Sequence, residues 1–138
     1  MQHPDLDVIA FTGSREVGTR ILRLASKVEV GQQHIKKVIA ELGGKNAVIV
    51  DSSADPDEAI GSILNSSFSF QGQKCSACSR VIVVGQQYER FVDRLVDVAH
   101  SLVIADPIDP ACDIGPVSNA AAQQKINHMI EQAGNWGK

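Results

Sequence analysis

Residues 6–18 have the sequence LDVIAFTGSREVG, and this stretch decides the fold of the chain. The apolar run up to Phe11 is typical of a buried strand, and the Thr-Gly-Ser sequence at 12–14 predicts a turn. After the turn, apolar side chains recur at helical spacing and predict one face of a helix. The members of that face are Val17, Ile21, Leu24, Ala25 and Val28. A strand that leads through a glycine turn into a helix is the first part of a βαβ unit.

The same alternation of strands and helices continues along the chain. Further strands are predicted at residues 35–40, 47–50 and 81–84. Further helices are predicted at about residues 55–71, 88–102 and 118–133. The last helix is expected to bury Ala122, Ile126, Met129, Ile130 and Ala133. Short crossovers between such strands imply parallel pairing, so the sequence predicts an α/β fold with parallel strands and flanking helices.

Composition excludes several classes of protein. Of the 138 residues, 43% are apolar and 21% are charged, which excludes a disordered chain. No apolar run approaches the ~20 residues of a membrane helix, so no membrane segment is expected. The net charge of −3, with scattered basic residues, argues against a nucleic-acid partner. Three cysteines and the lack of a signal-peptide pattern after Met1 favour a reducing compartment, and we expect a cytoplasmic protein.

The turn at residues 13–18, GSREVG, lies where a strand gives way to a helix. Backbone N–H groups and the helix dipole can bind a phosphate at such a position, which is also the cofactor edge of α/β sheets. The spacing is not that of a GxGxxG or Walker motif. On spacing alone, a tight turn with Ser14 as the helix cap is the favoured interpretation, and a phosphate site is the alternative.

Cys75 and Cys78 form a C-x-x-C sequence that allows several interpretations. A zinc site needs a second pair of ligands, which Cys112 and the dispersed histidines do not supply at matching spacing, so we expect no metal. A thioredoxin-type dithiol needs its first cysteine at a helix N-terminus, whereas here a strand follows. Two interpretations are favoured over the dithiol, which stays an alternative: Cys75 as a lone nucleophile with Cys78 as a packing residue, or both as small buried side chains.

Glu41 is a carboxylate between an apolar strand and two glycines, in the sequence ELGGK at residues 41–45. A strand-end carboxylate beside flexible backbone can reach a site and act as a base. The alternative is a carboxylate that caps a turn or pairs with a lysine. On the same strand, Lys36 and Lys37 are expected to form a solvated face.

Three motifs, FTGS at 11–14, ELGGK at 41–45 and FQGQKC at 70–75, occur in an order that resembles the NAD(P)-dependent aldehyde dehydrogenase superfamily. The longer stretches GKNAVIVD at 44–51 and GQKCSACSR at 72–80 are most similar to the 1-pyrroline-5-carboxylate dehydrogenase branch. That branch oxidises glutamate γ-semialdehyde and includes part of the bifunctional proline-oxidising proteins. The resemblance runs along nearly all of the chain but implies only a middle segment of the family's length.

The resemblance implies three residues for the reaction itself. Cys75 corresponds to the nucleophile that attacks the aldehyde, and Glu41 corresponds to the general base that activates water. Ser76 corresponds to a residue that hydrogen-bonds the substrate's carboxylate. The implied substrate is therefore a small aldehyde, glutamate γ-semialdehyde, which becomes glutamate through a thioester on the cysteine.

The resemblance also implies NAD as the cofactor, with NADP as the alternative. Ser14 corresponds to a hydroxyl that contacts the pyrophosphate, and Gly13 and Gly18 keep the backbone close there. Leu42 and Gly43 correspond to residues near the nicotinamide. No role in metal binding is implied for any residue.

The resemblance divides the chain in two and leaves two alternatives open. Residues 1–43 correspond to the end of the dinucleotide-binding domain and residues 44–138 to part of the catalytic domain. Because other elements of the family's site correspond to neither part, we expect the isolated chain to lack turnover and to self-associate, as a homo-oligomer or through apolar surface. The alternatives are a non-catalytic, truncated module of the family and a dithiol redox domain that uses Cys75 and Cys78.

Overall fold

A computed structural model describes residues 1–85 and 87–135 of the chain. The chain forms two compact units, the first spanning Met1–Gly44 and the second beginning at Lys45. Each unit contains one pair of parallel strands with helices. The predicted α/β class with parallel strands is therefore confirmed.

The first unit is a βαβ motif. Its elements are β1 (Val8–Thr12), α1 (Arg15–Ala25) and β2 (Lys37–Glu41). The strands are parallel, and Thr12 lies opposite Glu41 at the carboxyl end of the pair. Helix α1 begins where it does because the Ser14 hydroxyl accepts a hydrogen bond from the Val17 N–H at 3.3 Å. The helix buries Gly18, Ile21 and Ala25.

Two expectations for the first unit are wrong. Helix α1 ends at Ala25, three residues before Val28, which is 76% exposed. Lys36 is buried rather than solvated, and its Nζ donates to Gln32 Oε1 at 2.6 Å. Lys36 also helps to line a small cavity between α1 and β2. At its ammonium group the Gln32 amide oxygen takes the place of a water molecule. Lys37 is exposed, as predicted.

The second unit packs helices on a second parallel pair. Its elements are β3 (Asn46–Val50), α2 (Pro56–Phe68), β4 (Cys78–Val83), α3 (Tyr88–His100) and α4 (Ala120–Ala133). A short 3₁₀ turn, Ser69–Gly72, follows α2. Helix α2 begins at Asp55, whose Oδ1 accepts from the N–H groups of Asp57 and Glu58 at 2.8 and 3.1 Å. Proline at the first helical position removes an N–H that the helix could not pair.

The core of the second unit lies between the strands and helices α2 and α3. It consists of Val50, Ile60, Ile63, Leu64 and Phe91. Burial of apolar side chains contributes about 25 cal/mol per Å², so this cluster is the main source of stability in the unit. It fixes α2, and with it the start of the segment that leads to Cys75.

Helix α4 differs from the prediction. It begins after Asn119, whose Oδ1 accepts from the Ala122 N–H at 2.9 Å, close to the predicted start. None of its residues is buried, and Ile126, Met129 and Ile130 are 38%, 48% and 66% exposed. Helical spacing specifies that a helix forms but not what covers its apolar face, and the described residues leave this face uncovered.

Apolar side chains are also exposed elsewhere in both units. Val30 and Ile35 in the first unit are 100% and 88% exposed, and Ile104 and Ile108 in the second are 77% and 90% exposed.

Within residues 1–85 and 87–135, no helix has both the length and the apolar character needed to cross a bilayer.

Candidate active site

The carboxyl ends of β1 and β2 bring several predicted site residues to one edge of the first unit. The backbone N–H of Gly13 donates to the carbonyl of Glu41 at 3.1 Å, directly after the register pair Thr12 and Glu41. Ser14 follows as the cap of α1. The Glu41 side chain is exposed.

Two glycines permit close approach at this edge. A Cβ atom on Gly13 would lie 2.6 Å from Cζ of Phe11, and one on Gly18 would lie 2.6 Å from Cδ2 of Leu42. Leu42 is half-buried and therefore links β2 to the first turns of α1. Gly43 is exposed, and a Cβ there would meet no atom within 4 Å, so packing does not require glycine at that position.

The start of α1 has the chemistry of an anion site. Its first N–H groups have no partner within the helix, and the helix dipole adds partial positive charge at this end. Ser14 uses an oxygen lone pair for the cap, which leaves the hydroxyl proton as a donor. The first turn carries one acid, Glu16, while Arg15 precedes it. Backbone donors together with a hydroxyl can bind a phosphate group.

In the second unit, Cys75 lies in the irregular segment 73–77 between the 3₁₀ turn and β4. The turn contains left-handed backbone at Phe70, Gln71 and Gly72, with φ of 52°, 57° and 68°. Cys75 is exposed and carries a free thiol. Cys78 opens β4, is 7% exposed, and donates from Sγ to the Arg80 carbonyl at 3.3 Å. The two thiols therefore have opposite environments.

Asn46, which sequence reasoning missed, holds the nucleophile candidate. Its Nδ2 donates to the carbonyl of Cys75 at 2.7 Å, and the same nitrogen lies 3.5 Å from the Ala77 carbonyl. Asn46 is the first residue of β3, whose partner β4 begins just after the Cys75 segment. The available signal was a polar amide between GGK and an otherwise apolar strand.

Three polar residues beside Cys75, namely Gln73, Lys74 and Ser76, are exposed. Ser76 is exposed next to Cys75, so its hydroxyl is accessible to molecules in solution. The Lys74 ammonium lies 5.2 Å from the centre of the Phe70 ring, a cation–π contact. Gln73 contacts Ser118, 45 residues along the chain. Sequence reasoning did not single out this pair either, because nothing local connects the two residues.

The alternatives for the cysteine pair can be compared with this geometry. Among the residues that the structure describes, no three His, Cys, Asp or Glu side chains form a group that could hold a metal ion. No helix begins at Cys75, and Cys78 starts a strand, so the helix dipole that activates a thioredoxin-type thiol does not act on Cys75. All three cysteines are free thiols.

Residues 1–138 match the aldehyde dehydrogenase family. The 1-pyrroline-5-carboxylate dehydrogenase of Geobacillus thermodenitrificans is 47% identical over 131 residues, which cover 95% of this chain and 25% of that protein. An NAD-bound 1-pyrroline-5-carboxylate dehydrogenase from Thermus is 40% identical, with a TM-score of 0.89, over 97% of this chain and 26% of that one. Proline utilization A from Bdellovibrio bacteriovorus is 48% identical, with a TM-score of 0.91, over 97% of this chain and 14% of that one.

The chain spans about a quarter of the length of the curated relatives it matches. The family match includes all three motifs on which the resemblance was based, and the similar structures reproduce the same arrangement of strands and helices. The predicted family is thus confirmed by sequence and by fold, and this chain belongs to the aldehyde dehydrogenase family.

Proposed function

We propose that this chain supplies the nucleophile-bearing part of an NAD-dependent dehydrogenase that oxidises L-glutamate γ-semialdehyde, derived from 1-pyrroline-5-carboxylate, to glutamate. The observation that carries the proposal is the exposed Cys75 thiol, held through its own carbonyl by Asn46. Relatives named 1-pyrroline-5-carboxylate dehydrogenase, at 40% and 47% identity, support the choice of substrate.

Cys75 performs the first step in this proposal. An aldehyde does not readily release hydride until a nucleophile has added to its carbon. The Cys75 thiolate forms a C–S bond with that carbon, and the carbonyl oxygen becomes an oxyanion. Backbone N–H groups stabilise such an oxyanion when they are already oriented, and the Asn46 contact fixes the backbone orientation at Cys75.

The first unit provides the site for NAD in this proposal. Ser14 and the first N–H groups of α1 donate to the pyrophosphate, while Gly13 and Gly18 leave room for the Phe11 and Leu42 side chains beside this edge. Leu42 and Gly43 follow the end of β2 and are assigned in this proposal to the nicotinamide end of the cofactor. When bound, the oxidised nicotinamide supplies the acceptor for the hydride.

Glu41 performs the last step. After oxidation the acyl group remains on Cys75 as a thioester. The Glu41 carboxylate takes a proton from a water molecule, the resulting hydroxide attacks the thioester carbon, and the thiolate leaves as glutamate forms. Ser76 donates a hydrogen bond to the substrate's α-carboxylate, a role that its exposed hydroxyl permits.

A chimera tests the proposal directly. This chain replaces the aligned segment of the Geobacillus enzyme, and turnover is followed as NADH absorbance with glutamate γ-semialdehyde as substrate. We expect activity that Cys75→Ala lowers on the order of 1000-fold or more, while Cys78→Ala, the matched control, retains most of it. Equal losses in the two variants would favour the dithiol alternative.

Glu41→Gln separates the two chemical steps in the same chimera. We expect the first turnover to release one equivalent of NADH. The steady-state rate should then be about 100-fold or more below that of the unsubstituted chimera, because the thioester forms but is hydrolysed slowly. Intact-mass measurement should then show the acyl group on the protein. Slow turnover without accumulation of the acyl adduct would show that Glu41 is not the base in the last step.

Self-association is part of the proposal for the isolated chain. Its support is the exposed apolar surface, which includes Val30, Ile35 and Ile108. Sedimentation velocity should show dimers or larger species whose proportion rises with concentration. A single monomeric species at all concentrations would contradict it. Lack of turnover by the chain alone stays a prediction, checked in the same NADH assay.

A further inference from the structure

One glutamine side chain ties the Cys75 segment to a distant part of the second unit. Gln73 Nε2 donates to Ser118 Oγ at 3.1 Å, and Gln73 Oε1 accepts from the backbone N–H of Ser118 at 3.0 Å. The backbone N–H can only donate, so it determines which amide atom faces it. Two hydrogen bonds between one amide group and one residue therefore fix both the position and the rotation of the Gln73 side chain.

Ser118 is itself held in place. It directly precedes Asn119, whose side chain caps the first turn of α4. Upstream, Gly115 allows the chain to pass close to its neighbours: a Cβ atom there would lie 2.8 Å from Cγ of Pro107 and 3.4 Å from Nε2 of Gln71. The partner of Gln73 is thus anchored on both sides in sequence.

The Cys75 segment, taken as residues 70–77, depends on such contacts because its own backbone is irregular. Phe70 and Gln71 adopt left-handed backbone that costs free energy unless the surroundings fix it. The backbone hydrogen bonds within the segment, such as Gln73 N–H to the Phe70 carbonyl at 3.0 Å, join residues close in sequence. Side chains from elsewhere in the unit hold it at two points, Asn46 at the Cys75 carbonyl and Ser118 at Gln73.

We propose that the two hydrogen bonds between Gln73 and Ser118 form a clamp that positions the Cys75 thiol for attack on the aldehyde. The inference rests on the proposed function, in which Cys75 is the nucleophile. Gln73 and Ser118 are positioning residues, because they act on Cys75 through the backbone between residues 73 and 75. Displacing a reacting group by about 1 Å can lower a rate on the order of 100-fold, so loss of the clamp reduces turnover although the thiol remains.

The kinetic test uses the chimera described above. We expect Gln73→Ala to lower kcat about tenfold or more, with the KM for the aldehyde changed less than about twofold. Ser118→Ala, which keeps the backbone N–H bond, should have a smaller effect of the same kind, and Ser118→Thr should restore kcat because it keeps the hydroxyl. Gln124→Ala, at an exposed glutamine on α4, is the matched control and should leave both constants unchanged.

The double variant tests whether the two residues act as one unit. Gln73→Ala combined with Ser118→Ala should be no slower than Gln73→Ala alone, because the first substitution already breaks both hydrogen bonds. Multiplied effects, an unchanged kcat or a rise in KM alone would overturn the clamp.

Hydrogen exchange in the isolated chain tests the clamp independently of activity. Gln73→Ala and Ser118→Ala should speed exchange of the amides at residues 73–78, whereas Gln124→Ala should not. If exchange is faster in the two variants but the unsubstituted chimera is inactive, the result supports the clamp and counts against the proposed function. Unchanged exchange in both variants would overturn the clamp even if the chimera turns over.

Discussion

The two parallel strand pairs carry their candidate site residues at opposite ends. In the first unit, Gly13 and Glu41 meet at the carboxyl ends of β1 and β2. In the second, Asn46 at the amino end of β3 holds the Cys75 carbonyl. A carboxyl end leads into a helix N-terminus and offers backbone donors for an anion. An amino end offers a side-chain amide that can hold a turn, which suits a nucleophile that needs a fixed position.

The two units also differ in the size of their buried apolar cores, which is smaller in the first unit, where Ile21 and Ala25 are the buried apolar side chains among the described residues. The second unit buries Ile63 to 2% exposure between its strands and helices, whereas Ile39 on β2 of the first unit is 56% exposed. Stability in the second unit thus comes from a packed core, while the first relies more on its βαβ connections and helix cap. Three pairs of substitutions, each with one residue from either unit, test this difference.

The largest difference is expected in the core. Ile63→Ala should lower the free energy of unfolding by about 2–5 kcal/mol, because it leaves a cavity beneath α2. Ile39→Ala, the same substitution at an exposed position, should cost about 0.5 kcal/mol or less. Urea unfolding followed by circular dichroism measures both. Similar costs for the two variants would show that the units are packed alike.

Glycine substitutions should change stability in opposite directions. Gly18→Ala places a methyl group against Leu42 and should destabilise by about 1 kcal/mol, because the leucine must leave its position. Gly61, within α2, has open space where a Cβ would lie, so Gly61→Ala should stabilise by about 0.5–1 kcal/mol. Thermal unfolding distinguishes the two signs, and a stabilising Gly18→Ala would contradict the close packing at that position.

The helix caps should differ by less. Asp55 accepts two N–H groups at the start of α2, and Asp55→Ala should cost about 1–2 kcal/mol. Ser14 accepts one, at 3.3 Å, and Ser14→Ala should cost about 0.5–1 kcal/mol. Asp55→Asn keeps the acceptor and serves as the control in urea unfolding. An equal or larger loss from Ser14→Ala would reverse the ranking of the caps.

The smallest effect is electrostatic, at the carboxyl end of β3. The Ser53 hydroxyl, at 2.9 Å, and then the backbone N–H groups of Ser52 and Ser53 lower the pKa of Asp51 from its ordinary 3.8. The folded state therefore favours the carboxylate, and this stabilisation is present above pH 3.8 and is lost as the pH falls through the lowered pKa.

Ser53→Ala should raise the pKa of Asp51 towards 3.8, whereas Ser52→Ala, which keeps its backbone N–H, should leave it lowered. Carboxyl-carbon NMR during acid titration measures both shifts. An unchanged pKa in the Ser53 variant would show that backbone donors alone account for the shift.

The fold was largely predictable because each element is specified locally. Alternation of strands and helices, the glycine turn before Ser14 and the Asp-Pro start of α2 all act within a few residues. What failed was the predicted burial or exposure of particular side chains. Lys36 is buried because Gln32 can satisfy it, and the apolar face of α4 lacks a cover among the described residues, neither of which helical or strand periodicity encodes.

The candidate site residues stay a prediction, and some of them could be named from the sequence. Cys75 and Glu41 lie in motifs whose resemblance to a family can be read directly from the sequence. The residues that hold Cys75 could not be found in that way, because Asn46 and Ser118 are 29 and 43 positions away from it and approach it only after the chain has folded.

The central claim is that Cys75 is the reactive thiol and Cys78 a packing residue. Alkylation of the chain with iodoacetamide, quantified by mass spectrometry of the peptides containing each cysteine, tests it most directly. The exposed Cys75 should react faster than the buried Cys78 by a factor of about ten or more. Equal rates at the two cysteines, or their loss together into an intramolecular disulfide, would contradict the claim.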